Sequence, residues 1–471
     1  MPQLTIIACI QSLRRAACLT AAMVCAVVAG GCGDEPEPMN VVLIVIDTLR
    51  ADRTSVYGYE HSTTPRLEQF AATGVAFDHA YSPSTWTRAS MASIFTGLYP
   101  ASHGCEQRLD GLAPEFDTLA ELFKARGYTT AGVYANINIA SSLGFDQGFD
   151  HYEKPVKNAG TRLGARFTDA AEINRRVFRW LQEDRPNSPW FLFALYVDPH
   201  QPYMPHPEHW FSDAYASRTM GQTRYLDSLR DGQLPNNYAQ IQEVVRALYD
   251  SEIGYVDQHV GELLDELERL GLTENTAVVI TADHGESLWE HDDFIGHGAQ
   301  VYEVLVHVPL LMRWPGRTEA GRRVATRVSV FDVFGTLVDG IGLEPSRPPQ
   351  CGSLLDAIDG RRSAQPILVQ QRLDKWDYQV LVDAPYKLIQ DRVQNRWELF
   401  DLAHDPGEAH NLVNESGVAA SPALTSRMGA LRTTLDSLTT WTEAWHDSLG
   451  VQATTAALTE QEKRELEALG Y

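Results

Sequence analysis

The chain has 471 residues, 44% of them hydrophobic and 21% charged, proportions ordinary for a globular protein and a length sufficient for one large domain with a smaller companion. Its 62 acidic and 39 basic residues leave a formal charge of -23, and a surface of that sign repels a phosphate backbone, which argues against nucleic acid as a partner. There is no CxxC zinc pattern and no Walker or dinucleotide glycine motif.

Arg14-Arg15 precede an apolar run from Ala16 to Val28, and Ala29-Gly30-Gly31 then places small residues directly before Cys32. Charged, apolar and small-residue regions in that order have the shape of a secretory signal over 1–32, short for a membrane span, with a simple cleaved signal or a retained anchor as the alternatives to lipidation. The small residues ending in Cys resemble a bacterial lipoprotein processing site. The expectation is an exported protein of the periplasm or cell surface, associated with the membrane through a lipid anchor at Cys32. A polar linker, 33–39, follows. Four of the six cysteines lie in this leader, at 9, 18, 25 and 32. Cys105 and Cys351 alone remain for the folded body, so one bridge is possible and no disulfide framework exists.

From residue 40 the chain alternates apolar runs with helical periodicity. Val41 to Ile46, Thr129 to Tyr134, Trp190 to Val197, Ala277 to Thr281 and Val308 to Met312 read as strands. Leu119 to Arg126, Ala170 to Leu181 and Ile241 to Leu270 read as helices between them. This alternation predicts an α/β fold, a mostly parallel sheet flanked by helices, over 40–345. Beyond it, Pro366 to Gln371, Tyr378 to Asp383, Tyr386 to Gln390 and Trp397 to Leu402 are short runs separated by turns, which predicts a small antiparallel sheet in a C-terminal α+β subdomain, 346–450. In the tail, 451–471, Thr459 and Glu462 have capping-box spacing and Gly470 is a helix stop.

Two of the strand runs end in potential metal ligands, Ile44-Val45-Ile46-Asp47 and Ile280-Thr281-Ala282-Asp283-His284-Gly285. In a parallel sheet such ends converge on one edge, however far apart they lie in sequence. Taken alone, Asp47 reads as a helix cap or loop acceptor and Asp283-His284 as a turn; together they read as a metal site. Carboxylate with imidazole favours zinc or manganese over calcium. Between them lies Ser84-Thr85-Trp86-Thr87-Arg88-Ala89-Ser90, hydroxyl-rich and running into a helical pattern over 88–95. Thr87 would sit at that helix's N-terminus, where N–H groups attract an anion, and a divalent metal would activate its hydroxyl as a nucleophile. The structural alternative makes Thr87 an N-cap and Ser90 and Ser93 surface hydroxyls.

Here the residues become those of a family. Asn40 to Arg50, the segment reaching Thr96-Gly97-Leu98-Tyr99-Pro100, Thr281 to Glu286, Tyr302-Glu303, Val308-Pro309-Leu310, and Glu398-Leu399-Phe400-Asp401-Leu402 with Asp405-Pro406-Gly407-Glu408 and Asn411-Leu412 together resemble the sulfatase-like branch of the alkaline phosphatase superfamily. The resemblance implies that family's α/β domain and smaller C-terminal sheet. It also exposes departures. Sulfatases carry Cys or Ser in a C/S-x-P-S-R motif that is oxidised to formylglycine, and alignment on Thr96-Gly97 puts Thr87 there, with Ala89 for Pro and Met91 for Arg. Threonine cannot become formylglycine. The family's paired aspartates are Asp47-Thr48 here, and His284 stands where Asn is usual.

Those changes resemble superfamily members with a metal-bound Thr, such as phosphodiesterases and phosphoethanolamine or phosphoglycerol transferases. By that resemblance Asp47, Thr87, Asp283 and His284 hold one metal ion, with a second ion open. His200, in an Asp198-Pro199-His200-Gln201-Pro202 segment like the family's His-x-Pro, is expected to bind the anion, protonate the leaving oxygen or join Asp198 in a second metal site. His297 is expected in the site, His291 is a weaker candidate, and Asn136 is a candidate donor to a substrate oxygen. Arg88 is a candidate for attracting the anion, with a solvent-facing side chain as its alternative.

The function this implies is a metal-dependent hydrolase of an anionic ester, a phosphate diester, phosphonate or sulfate, through Thr87. The alternatives are a sulfatase of unconventional mechanism, a phosphoethanolamine- or phosphoglycerol-type transferase, and a non-catalytic anion-binding lipoprotein.

Overall fold

The structure is a computed structural model that describes residues 38–155, 168–214, 217, 219–230, 235–292, 294–414, 421–451 and 454–469. The signal and lipoprotein expectations for 1–32, most of the linker, and Gly470 lie outside these residues. Among the described residues no helix is long and apolar enough to cross a membrane.

Asn40–Ile46 is a strand whose seven residues are all buried. The unbroken apolar run Val41 to Ile46 has no polar face to turn to water, so both faces must be covered. It runs parallel to Trp190–Tyr196 on one side and Thr276–Thr281 on the other. Thr129–Tyr134 continues the parallel set beyond Trp190–Tyr196, and His151–Glu153 forms that edge. Past Thr276–Thr281 come Leu310–Arg313, antiparallel, then Val75–Phe77 and Arg322–Val324, completing eight strands. The expected strand Val308 to Met312 is two strands, His307–Val308 and Leu310–Arg313, in different sheets. Pro309 separates them because it has no N–H for a ladder.

Neighbouring residues of one strand point to opposite faces, which locates the helices. Phe191 stacks on Phe123 and Phe193 meets Phe95 edge-on, so the helices Leu119–Ala125 and Thr87–Thr96 share a face. Trp190 packs on Trp180 and the Tyr196 hydroxyl donates to Asn174 at 2.6 Å, so the helix Ala170–Arg179 covers the other face, with the 32-residue helix Tyr238–Arg269 packed against it.

The C-terminal strands Ile367–Leu373, Trp376–Asp383, Tyr386–Asp391 and Arg396–Asp401 form an antiparallel meander. One face, with Val369, Val380 and Ile389, packs on Tyr81, Val301, Leu305 and Val306 of the larger part. The other, with Leu368, Leu381, Leu388 and Leu399, packs on Met428, Leu431 and Leu435 of the helix Pro422–Leu449. The described residues from Asn40 onward form one compact unit, in which the second sheet packs on Tyr81 and the segment 301–306. Cys105 and Cys351 are free thiols.

Candidate active site

Four adjacent parallel strands, ending at Thr281, Ile46, Tyr196 and Tyr134, deliver Asp283, Asp47, Asp198 and Asn136 one or two residues later at the same edge of the sheet. Asp47, Asp283 and His284 are fully buried, and one ligand atom from each lies within 4.8 Å of the others. Thr48 takes a left-handed backbone, φ 57°, which is costly for a β-branched residue. That conformation lets its N–H donate to Asp283 Oδ1 at 3.2 Å, while its hydroxyl turns back onto the Asp47 carbonyl. The position of the family's second aspartate thus supplies a backbone donor.

His284 donates from Nδ1 to the Gly285 carbonyl at 2.8 Å, which leaves Nε2 as the acceptor nitrogen facing Thr87 Oγ1 at 3.2 Å. Nε2 also lies 3.5 Å from Asp283 Oδ2 and 4.0 Å from Asp47 Oδ1. Those two carboxylate oxygens are buried with no hydrogen-bond donor. Burial raises the pKa of both carboxyls well above the usual range for Asp47, where the charge of Asp283 adds to it, and more moderately for Asp283, where His284, Thr48 and Thr87 pull the other way. Two orphaned anionic oxygens and an imidazole lone pair directed at one point fit a divalent cation, which removes the cost of both buried charges.

Thr87 is the first residue of the helix Thr87–Thr96 and is fully buried. Trp86 is the N-cap, without a side-chain cap bond, and the Thr87 hydroxyl lies between His284 Nε2 and the Asn136 amide. A line of three imidazoles leads away from it. The His284 and His297 ring centres are 4.6 Å apart, and those of His297 and His200 5.0 Å. His297 Nδ1 is held by Glu286 Oε1 at 2.9 Å, and Tyr203 donates to Glu286 Oε2 at 3.1 Å. His200 donates from Nδ1 to the Gln201 carbonyl at 2.6 Å; burial, with His297 beside it, pushes its pKa down to about 3, so the ring is neutral at pH 7.

Residues 39–343 match the sulfatase family, and 297–434 match the C-terminal region of N-sulphoglucosamine sulphohydrolase. The chain belongs to the sulfatase family. It is an ester hydrolase of the sulfatase and alkaline phosphatase superfamily, whose sulfatase members depend on a metal. An arylsulfatase of Clostridium perfringens is 25% identical over 437 residues, covering 80% of this chain and 90% of that protein. The structure of BT4656 with its substrate D-glucosamine-2-N,6-O-disulfate superposes with TM-score 0.72 at 18% identity, covering 87% of this chain and 99% of that one. The phosphonate monoester hydrolase of Agrobacterium radiobacter does so with TM-score 0.66 at 22% identity, covering 87% and 96%.

Within this site the structure gathers Asp47, Thr87, Asp283, His284, His297 and His200, and turns Arg88, Asn136 and Asp198 to partners other than those expected. Arg88 neither faces solvent nor reaches towards the anion. It is fully buried, donating to the Asn138 carbonyl and side chain and to the carbonyls of Gln107, Arg108 and Asp110, because one helical step turns it away from Thr87 onto that loop. Arg88→Met, which strands those carbonyls, is expected to cost about 2–3 kcal/mol in denaturant unfolding while leaving substrate preference unchanged. Asn136 donates to Asp47 Oδ2 at 2.5 Å and Thr87 Oγ1 at 3.5 Å, so it orients site residues and is not an open substrate donor. Asp198 faces Glu252 and Asp169 and stands outside the metal-sized cluster. His291 stacks on Tyr302 with ring centres 3.7 Å apart. Ser90 and Ser93 are buried, and Ser90 Oγ donates to the Asp283 carbonyl at 2.7 Å.

Glu286 and Arg50 were missed, although both lie inside the quoted blocks. Arg50 is 1% exposed and ties Asp52, Glu290 and the Glu286 carbonyl together behind the site.

Proposed function

We propose that this protein hydrolyses a phosphodiester or phosphonate monoester with Thr87 as nucleophile, at a centre where Asp47, Thr87, Asp283 and His284 hold a divalent metal. The observation that carries the reading is the Thr87 hydroxyl, buried at a helix N-terminus 3.2 Å from His284 Nε2 and beside two carboxylate oxygens that no donor satisfies. Zinc or manganese suits that donor set, and when bound it supplies charge that offsets the carboxylates and the ester and lowers the pKa of the hydroxyl next to it.

The chain's own groups do the rest. Asn136 and His284 aim Thr87 Oγ1, which forms a bond to phosphorus as the bond to the leaving oxygen breaks, the Thr87 proton passing to that oxygen so that it departs as the alcohol. The first-turn N–H groups of the helix Thr87–Thr96 favour the negative charge on the transferred group. Water then attacks the phosphothreonine, Thr87 leaves as the hydroxyl, and the product is the monoester or phosphonate. His297, held through Nδ1 by Glu286, takes the water's proton, and the neutral His200 ring beside it orients the attacking water.

Threonine, which cannot become formylglycine, supports phosphorus over sulfur; the fold accommodates either, since BT4656 and a phosphonate monoester hydrolase both superpose on it. The second reading, sulfate ester hydrolysis by the same hydroxyl, is favoured by the 25% identity with an arylsulfatase. Protein purified with zinc or manganese and offered an aryl phosphodiester, an aryl phosphonate and an aryl sulfate separates them. Turnover of the phosphorus esters at least about 100-fold above the sulfate, a gap of roughly 2.7 kcal/mol in transition-state binding, is expected. Sulfate turnover alone overturns the phosphorus reading. We also propose export and lipidation at Cys32; a membrane-extracted protein lacking residues 1–31 and heavier by a lipid group is the expected mass.

A further inference from the structure

The block Asp405-Pro406-Gly407-Glu408 contributes no atom to the site, yet its glutamate is built into the fold with unusual care. Glu408 is 3% exposed and has a left-handed backbone, φ 52°, which a non-glycine residue keeps only when its surroundings impose it. Its carboxylate meets Lys387 Nζ at 2.8 Å, and the fully buried Lys387 also reaches Glu303 at 3.1 Å. Lys387 comes from the C-terminal sheet and Glu303 opens the short helix Glu303–Val306 of the larger part. A three-membered cluster, buried at Lys387 and Glu408 and partly exposed at Glu303, therefore joins the two.

From this cluster three hydrogen bonds, joined by short stretches of backbone, lead to the centre of the site. Glu408 Oε2 accepts the Glu303 N–H at 2.5 Å. Two residues on, the Leu305 carbonyl accepts the Gly285 N–H at 2.8 Å. The Gly285 carbonyl accepts His284 Nδ1 at 2.8 Å, and His284 Nε2 faces Thr87. The two segments are in backbone contact, since a Cβ on Gly285 would lie 2.0 Å from the Val304 oxygen. Displacing the short helix must move the Gly285 peptide, and with it the acceptor that fixes the His284 tautomer.

We propose that Glu408, anchored by Lys387, is a positioning residue for His284: it holds the helix Glu303–Val306 against Gly285 and so sets the tautomer and aim of the imidazole. The C-terminal sheet thereby takes part in assembling the site without touching it. The inference rests on the reading of His284 as part of the metal and nucleophile centre.

The test compares Glu408→Ala, Glu408→Gln and Leu431→Ala in the full chain. Glutamine keeps an oxygen for the Glu303 N–H and puts an NH2 group where the other oxygen met Lys387, so it removes that ion pair but leaves the backbone hydrogen bond, with Glu303 still the partner of Lys387. Leu431 packs on the opposite face of the C-terminal sheet and serves as the control for stability loss. Two quantities are read: zinc affinity of metal-stripped protein by chelator competition, and the imidazole 15N shifts of His284 in metal-free, 15N-histidine-labelled protein, assigned with His284→Gln.

Glu408→Ala is expected to weaken zinc binding by about 10-fold to 100-fold and to move His284 away from the Nδ1–H tautomer, while Glu408→Gln stays within about threefold of wild type. Leu431→Ala should leave both readings unchanged. The proposal falls if Glu408→Ala matches wild type in both, if Leu431→Ala shifts both as far, or if Glu408→Gln loses as much as Glu408→Ala. If wild-type protein binds no zinc, the metal reading of the site fails, and the tautomer signature of the metal-free protein still decides the positioning role.

Discussion

Thr87→Ala is expected to lower kcat by about 10⁴-fold or more, the scale on which single catalytic groups act when the remaining residues cannot substitute for them. The loss should appear with the fold intact. Thr87 is not the N-cap of its helix, and alanine is a better helix former, so denaturant unfolding should show little change or a small gain. Zinc should remain bound, because Asp47, Asp283 and His284 are untouched. Thr87→Ser, which keeps the hydroxyl, should retain turnover. Quenching wild-type enzyme during turnover of a phosphodiester or phosphonate should leave a phosphorus-containing adduct on the peptide that contains Thr87, and mass spectrometry should find none in Thr87→Ala. An alanine variant that turns over at the wild-type rate would remove the nucleophile from the mechanism.

Asp283→Asn should reverse its effect on stability according to whether metal is present. In chelator, the raised folded-state pKa values of Asp283 and Asp47 mean that the protonated carboxyls are the ones the fold favours. That contribution is full below the unfolded-state pKa and is lost as the pH rises through the folded values. Chelated wild-type protein should therefore lose stability between acid and neutral pH, and the variant, with one fewer buried charge to create, should lose less and melt higher at pH 7. With zinc at about a thousandfold excess over its Kd, wild type gains roughly 4 kcal/mol by linkage, while the variant gains much less and melts lower. Thermal melts of both proteins in chelator and in zinc check the crossing. Equal zinc-induced shifts in the two would place the metal elsewhere.

The centre of the site was legible because its residues stand at the ends of apolar runs long enough to be strands and nothing else. Asp47 and Asp283-His284 follow such runs, and Thr87 opens a helical pattern, so the rule that parallel strands gather their carboxyl ends brought them together in advance. The resemblance added His200 and His297, whose rings the structure sets in line with His284. What escaped has physical causes. Val75–Phe77 and Arg322–Val324 are strands of three residues, too short for any alternation to show. The helix Pro422–Leu449 is rich in threonine and serine, weak helix formers, and is held by packing Met428, Leu431 and Leu435 on the second sheet.

By itself, then, the sequence determined the layered α/β architecture, the family, and the residue types that could meet at one edge of the sheet, since these follow from hydrophobic period and strand direction, which are properties of short segments. Only the tertiary structure decided which way each polar side chain turns. Arg88 binds a loop, Asn136 binds Asp47, Asp198 turns to Glu252, and Glu408 accepts the Glu303 N–H from 105 residues away. Those outcomes depend on distances between segments remote in sequence, and on which buried donors and acceptors must find one another once water is excluded.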